Sequence, residues 1–578
     1  MGAFLLHKKT TDIFSKREFD YFKERGFGEP HRFSLGDWNL NLFSKTILKN
    51  KNYLFIDDSA LFVTGTLIYH GEDYETSIKL LLIDKIKNNI CADKIYGSFT
   101  IIFYIKGQIS ILRDGSNVSN VYYNSVNTVI SSSFLAACNA HDGTLSINKE
   151  SITENLISGY LIGPVTIFNE IHRIEKDDIQ SIGNIDVLSI NNEEGEYKPI
   201  DFEDALQEQL NCLGVYFKST KRLADKFGVD SGLTGGFDSR LLLILALKYF
   251  RKVSFHSYWR NQRSREFECA KAICIKAGQV LKAVQVTYPL EMDRNQLAAT
   301  MSAAFYYYDG HVRKHSYWHE EYNTLLYRKK ILDGAGLGLH GIGGEQYRNE
   351  ERVFFNHRIF FNWIKYDLIY TSSGDCFNEK KFENDFIDSY QKKIQRILKI
   401  NSRTIDWYEI KRFYNEIQIP GLRAVRTNIE NSDIFFLSPF ADYNVSKRAY
   451  NAIPFLGLSG YFQQQMIKRL DPEIAALLSD YGYDFFKGEP FYSKFNTLLK
   501  EFMPSPLFHQ LYINRKGSHN DNNYRKFTDR FPELEELEQK VLDIQLPINL
   551  DILKTKSDLY PLIWEVGYLL LKFRSKLI

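Results

Sequence analysis

The stretch Val229-Asp-Ser-Gly-Leu-Thr-Gly-Gly-Phe-Asp-Ser-Arg-Leu-Leu-Leu-Ile-Leu-Ala-Leu-Lys248 concentrates the residue types that can do chemistry. An apolar strand ending at Leu233 runs into a loop, Thr234-Gly235-Gly236-Phe237-Asp238-Ser239, and a helix begins at once. Such a turn aims backbone N–H groups and the positive end of a helix at one point, which suits a phosphate. Two adjacent glycines allow φ > 0 and a close backbone approach. Thr234 and Ser239 add hydroxyl donors, and Asp238 can hold a magnesium ion on phosphate oxygens. The competing reading is an ordinary glycine-rich connection from strand to helix, capped by Asp and Ser. This is not the phosphate loop of GTPases, because no Gly-Lys-Ser/Thr follows the glycines.

Other residues invite weaker readings. His311, His315 and His319 recur every four residues and, on a helix, would share one face with about 80° of total drift. They could bind a metal, or be satisfied histidines in a segment bordering an acceptor pocket. Arg260, Arg263 and Arg265 could clamp a phosphate or simply form a solvated loop.

The elements that must position these residues change character along the chain. Up to about Asp201 the text is short β-type runs, such as Ala60-Leu-Phe-Val-Thr-Gly and Gly97-Ser-Phe-Thr-Ile-Ile-Phe-Tyr-Ile, separated by turn residues. This predicts a mainly antiparallel, β-rich first domain. The polar segment from Asn191 to Pro199 breaks that pattern before an amphipathic stretch from Phe202 to Phe227. The expected boundary therefore divides residues 1–197 from 198–578. Beyond it strands alternate with helices: Val229 to Thr234, Ser239 to Phe250, Val253 to Tyr258, Glu266 to Ala277, Ala283 to Val286. That order predicts right-handed βαβ units and a parallel sheet. From about Phe354 the periodicity is mostly helical, and no internal repeat is present.

Composition bounds the answer. The 578 residues suit roughly two to four domains, and 44% hydrophobic with 25% charged residues is globular. A net charge of +2, from 73 basic and 71 acidic side chains, gives no global field for nucleic acid. Six scattered cysteines without a CxxC pair suit a reduced cytoplasmic protein rather than a disulfide or zinc scaffold. The start, Met1-Gly2-Ala3-Phe4-Leu5-Leu6-His7-Lys8-Lys9, has the wrong order for a secretory signal, and no apolar run is long enough to predict a membrane span.

Thr234-Gly235-Gly236-Phe237-Asp238-Ser239 resembles the SGGxDS pyrophosphatase loop of the N-type ATP pyrophosphatases, with Thr234 for the first Ser. The surrounding sequence is similar to their asparagine synthetase-related branch. Leu339-His-Gly-Ile-Gly-Gly-Glu-Gln-Tyr-Arg348 resembles its second signature, LSGEGxDE. Aligned on the glycines, Glu345 takes the place of the second magnesium-binding Asp, while Ile342 and Gln346 replace acidic residues. Leu437-Ser-Pro-Phe-Ala-Asp-Tyr443 is similar to the PFLD segment, with Asp442 kept. In the first domain Tyr96 to Phe103, Leu112 to Gly115, Ile130 to Ser133 and Ser158 to Phe168 follow the order of the glutaminase half.

The resemblance implies an α/β protein: an N-terminal αββα glutaminase-like domain of the Ntn type, then an α/β ATP-pyrophosphatase domain with a helical extension. It implies ATP on Thr234, Gly235, Gly236, Asp238 and Ser239, with Mg2+ on Asp238 and Glu345. A carboxylate substrate would be adenylated with release of pyrophosphate and passed to an amine, intramolecular, separate or ammonia. Lys468 and Lys487 are candidates for the family's catalytic lysine, and neither lies in a clear motif. Glutaminases of this fold use an N-terminal Cys as nucleophile, whereas this chain has Gly2. That excludes glutamine hydrolysis by this route and points to the β-lactam synthetases and lasso-peptide cyclases, with partner proteins of a biosynthetic cluster. The alternative is a catalytically impaired nucleotide-binding scaffold, favoured by Ile342 and Gln346.

Overall fold

A computed structural model describes residues 2–9, 17–175, 180–190, 197–259, 264–287, 289–312, 324–349, 357–373, 375–513, 523–556 and 559–578. The chain is mixed α/β with several sheets.

The β-type runs of the first part form two six-stranded sheets. The first is built around Ala3–Lys8, paired antiparallel to Trp38–Phe43 and Val129–Ser131. The second is built around Phe99–Ile105, paired antiparallel to Ser59–Gly65 and Gln108–Arg113. Alternation along the strands sends Phe4, Leu6, Leu40 and Leu42 of one sheet against Phe62, Ile102 and Ile111 of the other, in one buried core. The opposite residues face helices. Leu5 and Phe43 pack with Phe22 of the Arg17–Glu24 helix and Ala136 of Phe134–Ala140. Leu61, Val63 and Ile101 share a core with Leu82 of the Tyr74–Ile86 helix. The layers therefore run helix, sheet, sheet, helix.

The amphipathic stretch forms the helix Phe202–Phe227, capped by the Asp201 side chain on the Asp204 amide and stopped by Gly228 at φ +69°. Five parallel strands follow, ordered in space as Leu281–Gln285, Val253–Trp259, Val229–Gly232, Leu337–Leu339 and Phe435–Leu437. The first three match the expected alternation. The last two are three buried residues each, too short to leave a periodic signal. Sequence order across the sheet is 3-2-1-4-5, so the direction of winding reverses between Val229–Gly232 and Leu337–Leu339. In open α/β sheets, the crevice at the carboxyl ends of such a strand pair is where ligands bind.

The two parts interlock. The Asp442 carboxylate accepts from the Gly97 amide at 2.9 Å, and Asn428 Oδ1 accepts from the Asn120 amide at 3.0 Å. Buried Asp309 accepts from Ser133 Oγ and the Phe134 amide at 2.6 and 2.7 Å and pairs with Arg25 at 3.2 Å. No helix of the described residues is long and apolar enough to cross a membrane.

Candidate functional site

The loop after Val229–Gly232 closes on itself through hydroxyls. Ser239 Oγ lies 2.9 Å from Thr234 Oγ1 and accepts from the Thr234 amide at 3.1 Å. Thr234 Oγ1 also accepts from the Gly236 amide at 3.2 Å. The helix starts at Phe237, two residues earlier than expected, with Gly236 as its N-cap and no side chain capping it. Its first-turn donors thus point out of the loop with the helix dipole behind them. The expected φ > 0 is not found: Gly236 has φ −83°, and Gly235 is not among the positive-φ residues. What these positions need is space. A Cβ on Gly235 would lie 2.9 Å from the Asp480 amide and 2.8 Å from Cys269 Cβ.

The segment covering the loop, residues 474–485, is fastened by Arg240, a fully buried side chain. Its guanidinium donates to the carbonyls of Ile474, Leu477, Leu478 and Gly235 at 2.9–3.2 Å and lies over the Phe485 ring at 4.4 Å. Phe485 stacks on Phe237 at 4.0 Å between ring centroids. Asp480 and Tyr481 are thereby placed on the cavity wall.

The second glycine-rich segment follows Leu337–Leu339 and meets the loop edge to edge. A Cβ on Gly341 would lie 2.7 Å from Asp238 Cβ, and one on Gly344 would collide with the Asp238 carboxylate. Gly343, at φ +93°, turns the backbone tightly past Ala441. Glu345 and Asp238 therefore line one cavity of about 870 Å³.

Both carboxylates have partners. Asp238 Oδ1 accepts from Gln463 Nε2 at 2.8 Å and Arg348 Nη1 at 3.2 Å. Burial pushes its carboxyl up to about 6, against the pull of Arg348, and the negative charge of Glu345 adds to the rise. Glu345 accepts from the Tyr414 hydroxyl and from Arg423 at 3.3 Å. Burial alone would raise it, but Arg423 and Tyr414 outweigh that and hold it below the usual carboxylate range. Tyr414 and Arg423 are the two ends of a π-helical segment containing Pro420, so this irregular helix delivers both partners to one carboxylate. Among the described residues no group of three or more His, Cys, Asp or Glu could hold a metal alone. Magnesium brought by a nucleotide needs only one or two carboxylates, phosphate oxygens supplying the rest, and Asp238 with Glu345 fit that requirement.

Four arginines, Arg328, Arg348, Arg423 and Arg426, also line the cavity. None stood out in the sequence, although Arg423, Arg426 and Glu430 carry a readable signal in their three- and four-residue helical spacing. Neither lysine candidate lines it: Lys468 lies over the Phe486 ring at 4.2 Å, and Lys487 is exposed.

Of Ile342, Gln346 and Asp442, only Ile342 also lines the cavity. Ile342 packs with Val118, Tyr414 and Ala441. Buried Gln346 donates to the Phe440 carbonyl at 2.8 Å. Asp442 caps the Tyr443–Ala449 helix and binds Gly97 instead of facing the cavity. His311 lies beyond the end of the Arg294–Tyr307 helix, 3.0 Å from the Tyr122 hydroxyl, and lines a separate cavity of about 60 Å³. His311 itself does not line the large cavity. His315, His319, Arg260 and Arg263 lie outside the described residues, and Arg265 opens the helix Arg265–Lys276. Gly2 is buried: a Cβ there would lie 2.5 Å from Phe27 Cε1 and 2.6 Å from the Ser44 carbonyl oxygen.

No family model matches the chain, and no curated protein matches it.

Proposed function

We propose that this chain is an ATP-dependent, amide-forming synthetase that lacks a glutaminase of its own. The observation that carries the reading is the meeting of two distant glycine-rich segments at the winding reversal of a parallel sheet. There Asp238 fits against Gly344 inside an arginine-lined cavity. The resemblance of both segments to the asparagine synthetase-related family supports it.

In this reading the triphosphate of ATP lies on Thr234–Ser239, where the uncapped helix start stabilises its negative charge. A substrate carboxylate oxygen attacks the α-phosphorus; the bond to the β-phosphate oxygen breaks, and pyrophosphate leaves from an acyl-adenylate. An amine then attacks the acyl carbon, loses a proton and expels AMP. Magnesium, when bound, would neutralise charge on the leaving pyrophosphate, and Asp238 and Glu345 are the residues that would hold it. Arg348 and Gln463 keep Asp238 oriented, while Arg423 and Tyr414 do the same for Glu345. The crowding around Gly2 leaves no room for a nucleophilic side chain, so the amine would come from the acceptor or from ammonia made elsewhere.

The test is to supply ATP, Mg2+ and a panel of carboxylic acids and follow AMP and pyrophosphate. Release that depends on one class of acid supports the reading; none with any acid, from folded protein, overturns it. A second reading, a nucleotide-binding scaffold of the same descent, draws on Ile342 and Gln346, which replace acidic residues with packed side chains. Calorimetric ATP binding without turnover would favour that one.

A further inference from the structure

One wall of the large cavity carries positive charge that the phosphate loop does not use. Arg328 is nearly buried, 5% exposed, and pairs through Nη2 with Glu430 at 2.9 Å. Arg426 pairs with the other oxygen of the same carboxylate through Nε at 2.7 Å. Among the described residues neither arginine pairs with a second carboxylate within ion-pair distance, so two guanidinium groups share the Glu430 carboxylate, and Asp433 acts on Arg328 only from further away. The hydrogen bonding is incomplete as well. Arg328 Nε is buried without a partner, and Arg426 uses only Nε, leaving its two Nη groups available. A buried guanidinium in that condition is costly unless a ligand completes it.

His340 lines the same cavity, and burial together with Arg426, Arg328 and Arg423 holds its imidazole well below its ordinary value, so it adds no charge of its own. The pair is also distinct from the loop. Arg328 comes from the helix preceding the Leu337–Leu339 strand, and Arg426 from the helix Ala424–Asp433 preceding Phe435–Leu437. Among the described residues no hydrogen bond or ion pair joins Arg328, Arg426 or Glu430 to Thr234–Ser239. Guanidinium forks that present paired N–H groups match the planar face of a carboxylate or the tetrahedral face of a phosphate.

We propose that Arg328 and Arg426 form a second anion seat, and that the acid taken by this cavity carries an oxyanion group besides the carboxylate that is activated. The substrate claim rests on the adenylation reading; the seat itself does not. Arg328 and Arg426 are then specificity-determining residues that hold the acid by its far end while the near carboxylate faces the nucleotide. The oxyanion is a carboxylate or a phosphate-type group, and the two are separable by probe.

The experiment is calorimetric titration of the full chain with glutarate, phosphonoacetate and butyrate, without nucleotide and again with saturating ADP. The expected result is that glutarate or phosphonoacetate binds roughly tenfold or more tighter than butyrate, the scale of one charge-assisted contact. The tighter of the two identifies the anion. ADP should leave that binding in place, and Arg426→Gln should weaken it roughly tenfold while leaving affinity for ATP with Mg2+ within about twofold. Dianions that bind no better than butyrate, or that ADP displaces, overturn the seat. Should Arg426→Gln fail to fold, the probe comparison and the ADP competition on the unaltered chain decide by themselves. Arginine-dependent dianion binding with no pyrophosphate release from any acid would leave the seat standing and remove the adenylation reading. Release with monocarboxylic acids alone would do the reverse.

Discussion

Two regions of this molecule bring backbone unusually close to side chains, and they end in opposite states. Around Gly2 the space that a side chain would take is filled by Phe27 and the Ser44 carbonyl. Nearby, Arg25 and Asp309 pair at 3.2 Å, and the residual void measures about 20 Å³. Around Asp238 the glycines at 235, 341 and 344 admit equally close contacts, yet a cavity of about 870 Å³ remains, lined by carboxylates and four arginines. Close glycine packing alone therefore does not mark a site. What separates the two is whether the ion pairs are matched one to one. Arg25 and Asp309 pair one to one across the junction of the two parts, with Arg25 Nη1 left without a hydrogen-bond partner, whereas Arg328 and Arg426 share one carboxylate and line the large cavity.

The sharpest way to break the contrast is at the carboxylate the open site depends on. Asp238→Asn keeps the side-chain shape against Gly344 and Gln463 but removes the charge. Pyrophosphate release should fall by roughly 10²–10³-fold, the scale of losing one preorganised electrostatic contact, with the melting temperature little changed. Activity equal to the parent would show that Asp238 serves only to hold Gln463 and Arg348. Gly344→Ala should act through the same residue with a smaller effect. Its methyl group collides with the Asp238 carboxylate, and a displacement near 1 Å costs up to about 10²-fold in a positioned site. Steady-state kinetics that match the parent would mean the two segments are not held against each other during turnover.

Much of the open site was legible because its chemistry is local. Strand, Thr234–Ser239 and helix are contiguous, so turn residues and periodicity mark them together. The Gly341–Glu345 segment was legible as a glycine pattern, but its strand was not, since Leu337–Leu339 is three residues long and buried. The arginines escaped for a different reason. Their role depends on which distant helices the topology carries to the carboxyl edge of the sheet, and no spacing within one segment encodes that. At Gly235 the close contacts are with Cys269 and Asp480, and the anticipated φ > 0 belongs to Gly343 and not to Gly235 or Gly236. Asp442 was legible as a motif residue but not as a link to Gly97, a contact spanning the two parts of the chain.

The closed region can be challenged by restoring a side chain. Gly2→Cys should destabilise the fold by about 1–3 kcal/mol, the usual cost of overpacking, and should release no ammonia from glutamine. A variant that melts with the parent and hydrolyses glutamine would show that the seat opens in solution, and the distinction between the two regions would collapse.

The smallest expected effect tests how firmly the regions are joined. Asp442 lies at the junction, its carboxylate accepting from the Gly97 and Asn444 amides. Burial is the larger influence and pushes its carboxyl from 3.8 to about 7, against those two bonds. The folded chain thus binds the proton more tightly than the unfolded one. Between those two values stability must fall as pH rises, and the fall ends above about 7. From pH 6 to 7 this one group should account for about 1 kcal/mol. Asp442→Asn has no proton to exchange, so the pH dependence of its melting temperature over that range should be shallower than the parent's. Asp433, pushed up to about 6 mainly by burial, keeps its own part of the slope, centred lower. A slope unchanged by the substitution would place the titrating group at Asp433 or elsewhere, and would mean the Asp442 carboxylate stays ionised because the two amides, and not burial, govern it.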